Sequence, residues 1–139
     1  MSLLKEWRGD RAFENRLRNA EARIRREVPI AMSEVIAKTH DLSVSYAPRI
    51  SGLLQETSEG RVGGRTVSHG GNGQAGQVAT VQRMEGNTLK AVIAFRTPYA
   101  LKVHEKNVTG REKYLEVATV ERMEANKKRL SLKELKVFK

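Results

Sequence analysis

Residues 89–105, LKAVIAFRTPYALKVHE, decide how this chain is read. In the first half, Leu89, Ala91, Ile93 and Phe95 fall on one side of an extended chain, with Lys90 and Arg96 on the other. That two-residue period marks a half-buried strand. Pro98 stops the strand, because it has no N–H to give to a ladder. From Tyr99 the spacing changes to threes and fours through Ala100, Val103 and His104, which predicts a short helix bearing His104-Glu105. A strand, a proline turn and a helical turn in series can be a reaction site or a structural joint.

Just upstream, Gln77–Met84 (QVATVQRM) is strand-like, and Gly86-Asn87 suits a tight turn. The expectation is a hairpin, 77–84 against 89–96. Before it, residues 58–77 hold seven of the eleven glycines. Glycine loses the most backbone entropy on folding, and few apolar side chains offset that here. The stretch reads as a long flexible loop that orders against a partner, with an extended hairpin through Arg61–His69 as its alternative. Leu53–Thr57 can form a strand.

Further out, Phe13, Leu17, Ala20, Ile24 and Val28 recur at spacings of four, three, four and four, one helical stripe starting after Asp10 as N-cap. Pro29 then interrupts. Inside a helix it would remove a hydrogen bond and crowd the Arg25 carbonyl, whereas at a first turn it costs little. The stripe resumes through Ile30, Ala31, Val35, Ile36, Leu42 and Tyr46. Two helices, 10–27 and 29–46, are expected, with one kinked helix as the alternative. Ala47-Pro48 ends the second. A last helix from about Arg111 would bury Tyr114, Leu115, Val117, Ala118 and Met123, and lead into a basic tail, helical or loose.

The fold class is therefore α+β: a small antiparallel sheet with long N-terminal helices and a C-terminal helix packed on one face, and a long Gly-rich loop. A length of 139 residues fits a single domain. Within it, 1–28 reads as an N-terminal helical extension, 29–125 as the core, 58–77 as the flexible loop and 126–139 as a basic tail.

With 26 Lys+Arg against 16 Asp+Glu, the net charge is +10. Both ends are basic and residues 31–59 are net acidic. Such asymmetry fits nucleic acid, an acidic protein neighbour, or a head-to-tail contact between identical subunits. Absence of cysteine excludes disulfides and thiolate zinc sites. No apolar run approaches a membrane span, and the first residues lack a signal peptide's apolar core, so a soluble cytoplasmic product is expected. Arg16, Arg18, Arg23, Arg25 and Arg26 share a helix with Glu14, Glu21 and Glu27. They read first as a solvated face with ion pairs, and second as a phosphate-binding stripe.

The catalytic patterns fail on physical grounds. Residues 71–76 match G-x-G-x-x-G literally, yet that fingerprint needs a preceding strand and a following helix, and here a strand is expected next. His104-Glu105 opens like a zinc-protease motif, but Val108 stands where its second histidine belongs. His40, His69 and His104 sit in three different elements, with no sign of a shared ligand set. Ser51, His104 and Asp41 make a triad only on paper, because no nucleophile elbow surrounds any serine. No catalytic residue, metal ligand or cofactor is expected.

Three pieces taken in order carry a resemblance. They are Ala47-Pro48-Arg49-Ile50-Ser51-Gly52-Leu53-Leu54 with Thr57, then Thr97-Pro98-Tyr99-Ala100-Leu101-Lys102-Val103-His104-Glu105, then Lys113-Tyr114-Leu115. Around a glycine-rich stretch they resemble the tail-component proteins of tailed bacteriophages, small neck or tail-completion proteins of the virion. The likeness spans about residues 28–120. Ile50 departs from the polar residue, often Asp, usual in that family. Ser51 replaces Thr, Lys106 replaces a glycine, and the helix at 10–27 is longer than the family minimum.

The resemblance implies a non-enzymatic ring of identical subunits, hexamer or dodecamer, in the virion neck, made in the host cytoplasm. Portal-associated proteins would lie on one side and tail terminator or tube proteins on the other, with the genome passing through the channel. Ala47, Pro48, Ser51, Gly52, Pro98, Tyr99, Ala100, His104 and Glu105 would be packing and subunit-contact residues. Arg16, Arg23, Arg25, Arg26, Lys127, Lys128 and Arg129 would be charged contacts. The rival expectation is a basic nucleic-acid-binding module, whose affinity would fall steeply with salt.

Overall fold

A computed structural model describes residues 11–47, 53–96, 114–131 and 133–135. Its elements are helix α1 (Arg11–Tyr46), the short helix α2 (Leu53–Glu56), strands β1 (Glu59–Val62), β2 (Arg65–Gly70), β3 (Ala75–Gln77) and β4 (Ala91–Ala94), and helix α3 (Tyr114–Arg129). The four strands form one sheet in the order β3-β2-β1-β4, every neighbouring pair antiparallel. Three sequential strands with the fourth returning beside the first make a Greek key. The long helix and the C-terminal helix pack against this sheet, so the α+β expectation holds.

Pro29 does not divide the helix. Thirty-six residues run unbroken through it, and its ring is fully buried. A proline in a helix interior leaves the carbonyl four residues earlier without its N–H partner, at a cost of about 3 kcal/mol. That carbonyl belongs to Arg25, and it accepts the Met84 N–H at 3.2 Å. The donor comes from residues 78–90, which lie in neither helix nor strand and run as a strap along α1. One turn on, Ser33 Oγ donates to the Pro29 carbonyl at 2.8 Å and accepts the Val81 N–H at 3.0 Å. The Arg25 guanidinium donates to the Gly86 carbonyl at 2.8 Å and to Asn87 Oδ1 at 3.0 Å. The strap thus supplies from outside what the proline removes from inside.

This strap replaces the expected 77–84/89–96 hairpin. The alternation of the opening stretch survives, with Ala91, Ile93 and Phe95 half-buried and Val92 and Arg96 exposed. The partner differs, because β4 pairs with β1, Gly60 opposite Ile93 and Val62 opposite Ala91. Leu53–Glu56 is helical rather than a strand.

The glycine-rich stretch 58–77, expected as a flexible loop, forms β1, β2 and β3. Its Arg61–His69 hairpin alternative lies within the observed β1–β2 pairing. Gly63 and Gly64 form the turn with φ of +59° and +79°, the geometry of a two-residue turn matched to strand twist. On the outer face Glu59 accepts from Arg96 Nε at 2.6 Å and Thr66 Oγ1 at 3.2 Å, and pairs with Arg61 Nε at 3.0 Å, tying three strands.

Helix α3 packs along α1. Asn126 Nδ2 donates to Thr39 Oγ1 at 3.0 Å, Arg129 Nε to Glu34 Oε2 at 2.6 Å, and Tyr46 to Glu121. Tyr114 and Ala118 are buried as expected, whereas Met123 is 42% exposed because its side of the helix faces away from α1. The basic tail is part of the core in one respect: Leu130 and buried Leu135 cover Ala20 and Ala31 of α1.

Replacing Pro29 with alanine restores a helical donor for the Arg25 carbonyl and displaces Met84. Global stability should hold or rise while the Met84 amide exchanges at least tenfold faster; unchanged protection there would show that the strap does not depend on the proline.

Candidate functional site

Two Ser-x-Gly triplets, Ser58-Glu59-Gly60 and Ser68-His69-Gly70, flank the hairpin turn ten residues apart. The register sets Gly60 opposite Ser68, and the Gly70 N–H donates to the Ser58 carbonyl at 2.9 Å. Each serine therefore lies across from the other triplet's glycine. Both hydroxyls reach His40, which comes off the middle of α1: Ser68 Oγ is 2.7 Å from Nδ1 and Ser58 Oγ 2.8 Å from Nε2.

The glycines make the room. A Cβ at Gly60 would stand 2.4 Å from Ser68 Oγ and 2.7 Å from Ile36 Cγ2. One at Gly70 would stand 1.9 Å from the Gln55 carbonyl oxygen and 2.1 Å from Ser58 Oγ. His40, Ser58 and Ser68 have no solvent exposure.

The proton inventory fixes the histidine tautomer. Ser58 Oγ also lies 2.7 Å from the Gln55 carbonyl, to which it donates its single proton. It can then only accept from His40, so Nε2 carries the ring proton and Nδ1 accepts from Ser68. Burial pushes the imidazole pKa down from 6.5 to about 4, with Asp41 opposing and His69 reinforcing. The ring is neutral at physiological pH, which matches one donating and one accepting nitrogen. A serine hydroxyl on a histidine nitrogen is the local geometry of nucleophile activation. Here it is closed on all sides, and no substrate atom can reach either hydroxyl without parting the sheet from the helix.

Gln55 extends the network. Its Nε2 donates to the Val44 carbonyl at 2.8 Å and the Ala47 carbonyl at 3.2 Å, and its Oε1 accepts the Gly73 N–H at 3.0 Å. At the end of α1, where carbonyls lose their regular helical donors, this buried amide serves Val44, which also receives the Ala47 N–H at 3.2 Å, and Ala47, while holding the β2–β3 turn. Asp41 Oδ1 accepts the Ala75 N–H at 2.9 Å.

Of the motif residues, Ala47 is described and is buried at the end of α1. Pro48, Ser51, Gly52, Pro98, Tyr99, Ala100, His104 and Glu105 lie outside the described residues. The residues that flank those stretches meet: Ala47, Leu54 and Tyr114 form one buried cluster with Tyr46, Phe95 and Leu115 packed on it. Phe95 and Tyr114 make an edge-to-face pair at 4.9 Å, and Phe95 also meets the His40 ring edge-on at 6.2 Å.

The charged candidates divide. Arg25 is held by Gly86, Asn87 and Glu21, Arg26 pairs with Glu27 at 3.3 Å, and Arg129 pairs with Glu34. Arg16, Lys127 and Lys128 point to solvent. An open cleft of about 520 Å³ beside the strap is lined by Arg65, Arg83, Gln82, Glu85 and Thr88. It can take an anionic group but pairs no nucleophile with a base. Among the described residues no three His, Asp or Glu side chains gather as a metal site, and no helix is long and apolar enough to cross a membrane.

Compared with protein-family models, with curated proteins and with solved structures, the chain matches none. Its functional reading therefore rests on its own residues.

Two outcomes check the buried network. Gly70→Ala forces a methyl into the Gln55 carbonyl and should lower unfolding free energy by about 3 kcal/mol, at or above the upper range for overpacking, as read by urea denaturation. His40 gains protons more readily unfolded than folded, so its contribution is complete above about pH 6.5 and is lost as pH falls toward about 4. About 3 kcal/mol is at stake over that window. The urea midpoint should drop between pH 7 and 4.5, and His40→Gln should flatten that drop; an equally steep variant would locate the titration elsewhere.

Proposed function

We propose that this chain is a structural, non-enzymatic protein of a tailed-bacteriophage virion, assembling as a ring in the neck and joining or completing the tail. The observation that carries the reading is that residues of the first and third resembling pieces pack together, with Phe95, two residues ahead of the second, on the same cluster. Ala47 and Leu54 belong to the first, Phe95 stands just before the second, and Tyr114 with Leu115 belongs to the third; all pack in one cluster.

Two further features support it. The most catalysis-like constellation among the described residues, Ser–His–Ser, is sealed and serves packing. Edge strands β3 and β4 lie at opposite ends of the sheet order, and a ring requires two unlike faces per subunit. Of the arginines on which a nucleic-acid module would lean, Arg25 is engaged within the fold by Gly86 and Asn87, whereas Arg26 stays exposed beside Glu27. On this reading the chain works in the virion neck after assembly in the host cytoplasm. Its neighbours are portal-side connector proteins and the tail terminator or tube.

Negative-stain microscopy of the purified protein, and of virions carrying a label on it, tests this. Rings, and a label confined to the neck, are expected. A strict monomer absent from purified particles would sink the proposal.

A further inference from the structure

The β2–β3 turn carries the chain's one Asn-Gly step: of six asparagines, only Asn72 is followed by glycine. The Gly71 N–H donates to the Gln74 carbonyl at 2.8 Å. Asn72 and Gly73 are therefore the two central residues of a tight turn, with Gly73 at a φ of +81°. Asn72 is exposed to solvent. A side-chain amide next to a glycine nitrogen, which no Cβ shields, is the pairing that closes most readily into a five-membered succinimide.

The same nitrogen is held by the buried network. The Gly73 N–H donates to Gln55 Oε1 at 3.0 Å. Gln55 has no solvent exposure, and its Nε2 is fixed on the Val44 and Ala47 carbonyls at 2.8 and 3.2 Å, so the acceptor cannot swing away from Gly73. Just past the turn, the Ala75 N–H is fixed on Asp41 Oδ1 at 2.9 Å. Ring closure needs the opposite arrangement, because the Gly73 nitrogen must lose its proton and swing toward Asn72 Cγ. The end of α1 thus restrains the nucleophile of a reaction for which the exposed turn is otherwise set up.

We propose that Asn72 is a self-modification site governed by Gln55: it converts to aspartate and isoaspartate when the Gln55–Gly73 hydrogen bond opens, and is preserved while that bond is closed. Solvent hydroxide takes the Gly73 amide proton, and the nitrogen forms a bond to Asn72 Cγ. The Cγ–Nδ2 bond breaks, and Nδ2 leaves as ammonia with a proton from water. Water then opens the ring at either carbonyl, giving aspartate or, with one extra carbon in the main chain, isoaspartate; nothing is oxidised or reduced. Isoaspartate lengthens the two-residue turn, so Gly73 no longer reaches Gln55 in register. Either product adds a negative charge three residues before the amide that the Asp41 carboxylate holds. Conversion therefore releases the β2–β3 turn from α1 in one direction only, whatever the chain assembles into.

Peptide mass spectrometry of the whole protein, incubated at mildly alkaline pH, reads the amide-to-acid mass gain at each asparagine. Asn87 is the control, since it too is exposed but is followed by β-branched Thr88. Asn72 should convert at least tenfold more slowly in the folded protein than in urea, where it should outpace Asn87. Gln55→Met removes the acceptor and should raise conversion of Asn72 in the folded state at least tenfold while leaving Asn87 unchanged. Folded wild type that converts Asn72 as fast as the urea-unfolded chain overturns the proposal, and so does a folded Gln55→Met that stays protected. If Gln55→Met does not fold, the wild type in sub-denaturing urea decides. Conversion of Asn72 must then rise in step with hydrogen exchange of the Gly73 amide, and conversion that stays flat while that amide opens overturns the proposal equally.

Discussion

The seat of His40 between Ser58 and Ser68 sets how closely the sheet can approach α1. An imidazole buried without partners would cost several kcal/mol, so the hairpin must bring two hydroxyls to it, one on each nitrogen. That demand fixes the β1–β2 register, because Ser58 and Ser68 face the ring together only when each stands opposite a glycine. It also forbids side chains at Gly60 and Gly70, where a Cβ would collide with serine or backbone atoms. The resulting contact is polar and satisfied. A network of this kind rigidifies and specifies a single arrangement more than it adds net stability.

The same logic of supplying a missing partner governs the far side of the helix. Pro29 strips Arg25 of its helical donor, and the strap answers with Met84. Because the strap must run along α1 to do so, the chain leaves the sheet after Val78 and Ala79, whose N–H groups still reach Val67, and returns at Lys90, whose carbonyl accepts the Gly63 N–H. The chain then re-enters at β4, on the opposite edge from β3. A simple hairpin would have placed the last strand beside β3. The Greek key is thus the topology expected when the connection is spent on a proline's orphan carbonyl.

Periodicity made legible what periodicity controls. The α1 stripe, the alternation at 91–96 and the buried Tyr114–Ala118 face could all be read from apolar spacing, and so could the α+β class. Three elements were hidden by non-local partners. Pro29 reads locally as a break, since nothing near it in sequence announces that Met84 will take the freed carbonyl. The glycines of 58–77 read as entropy and turned out to be clearance, a difference visible only once Ile36, Gln55 and the two serines stand beside them. The His40 site had one readable sign, the Ser-x-Gly triplet repeated across a Gly-Gly turn. Small residues at that spacing mean a close approach, and a helical histidine within the same domain is a natural occupant.

The apolar core is divided along α1, and the division explains why its ends differ. Ala47, Leu54, Phe95 and Tyr114 close the C-terminal end, where α1, α2, the residue just after β4 and α3 meet. The middle is held by His40, Ser58, Ser68 and Gln55 through hydrogen bonds. Along the N-terminal half, Leu130 and Leu135 cover Ala20 and Ala31, with Ile24 and Val28 packed beside them. Between these apolar ends the sheet is fastened to α1 by hydrogen bonds, so the arrangement is specified in the middle by partner satisfaction and at the ends by apolar burial.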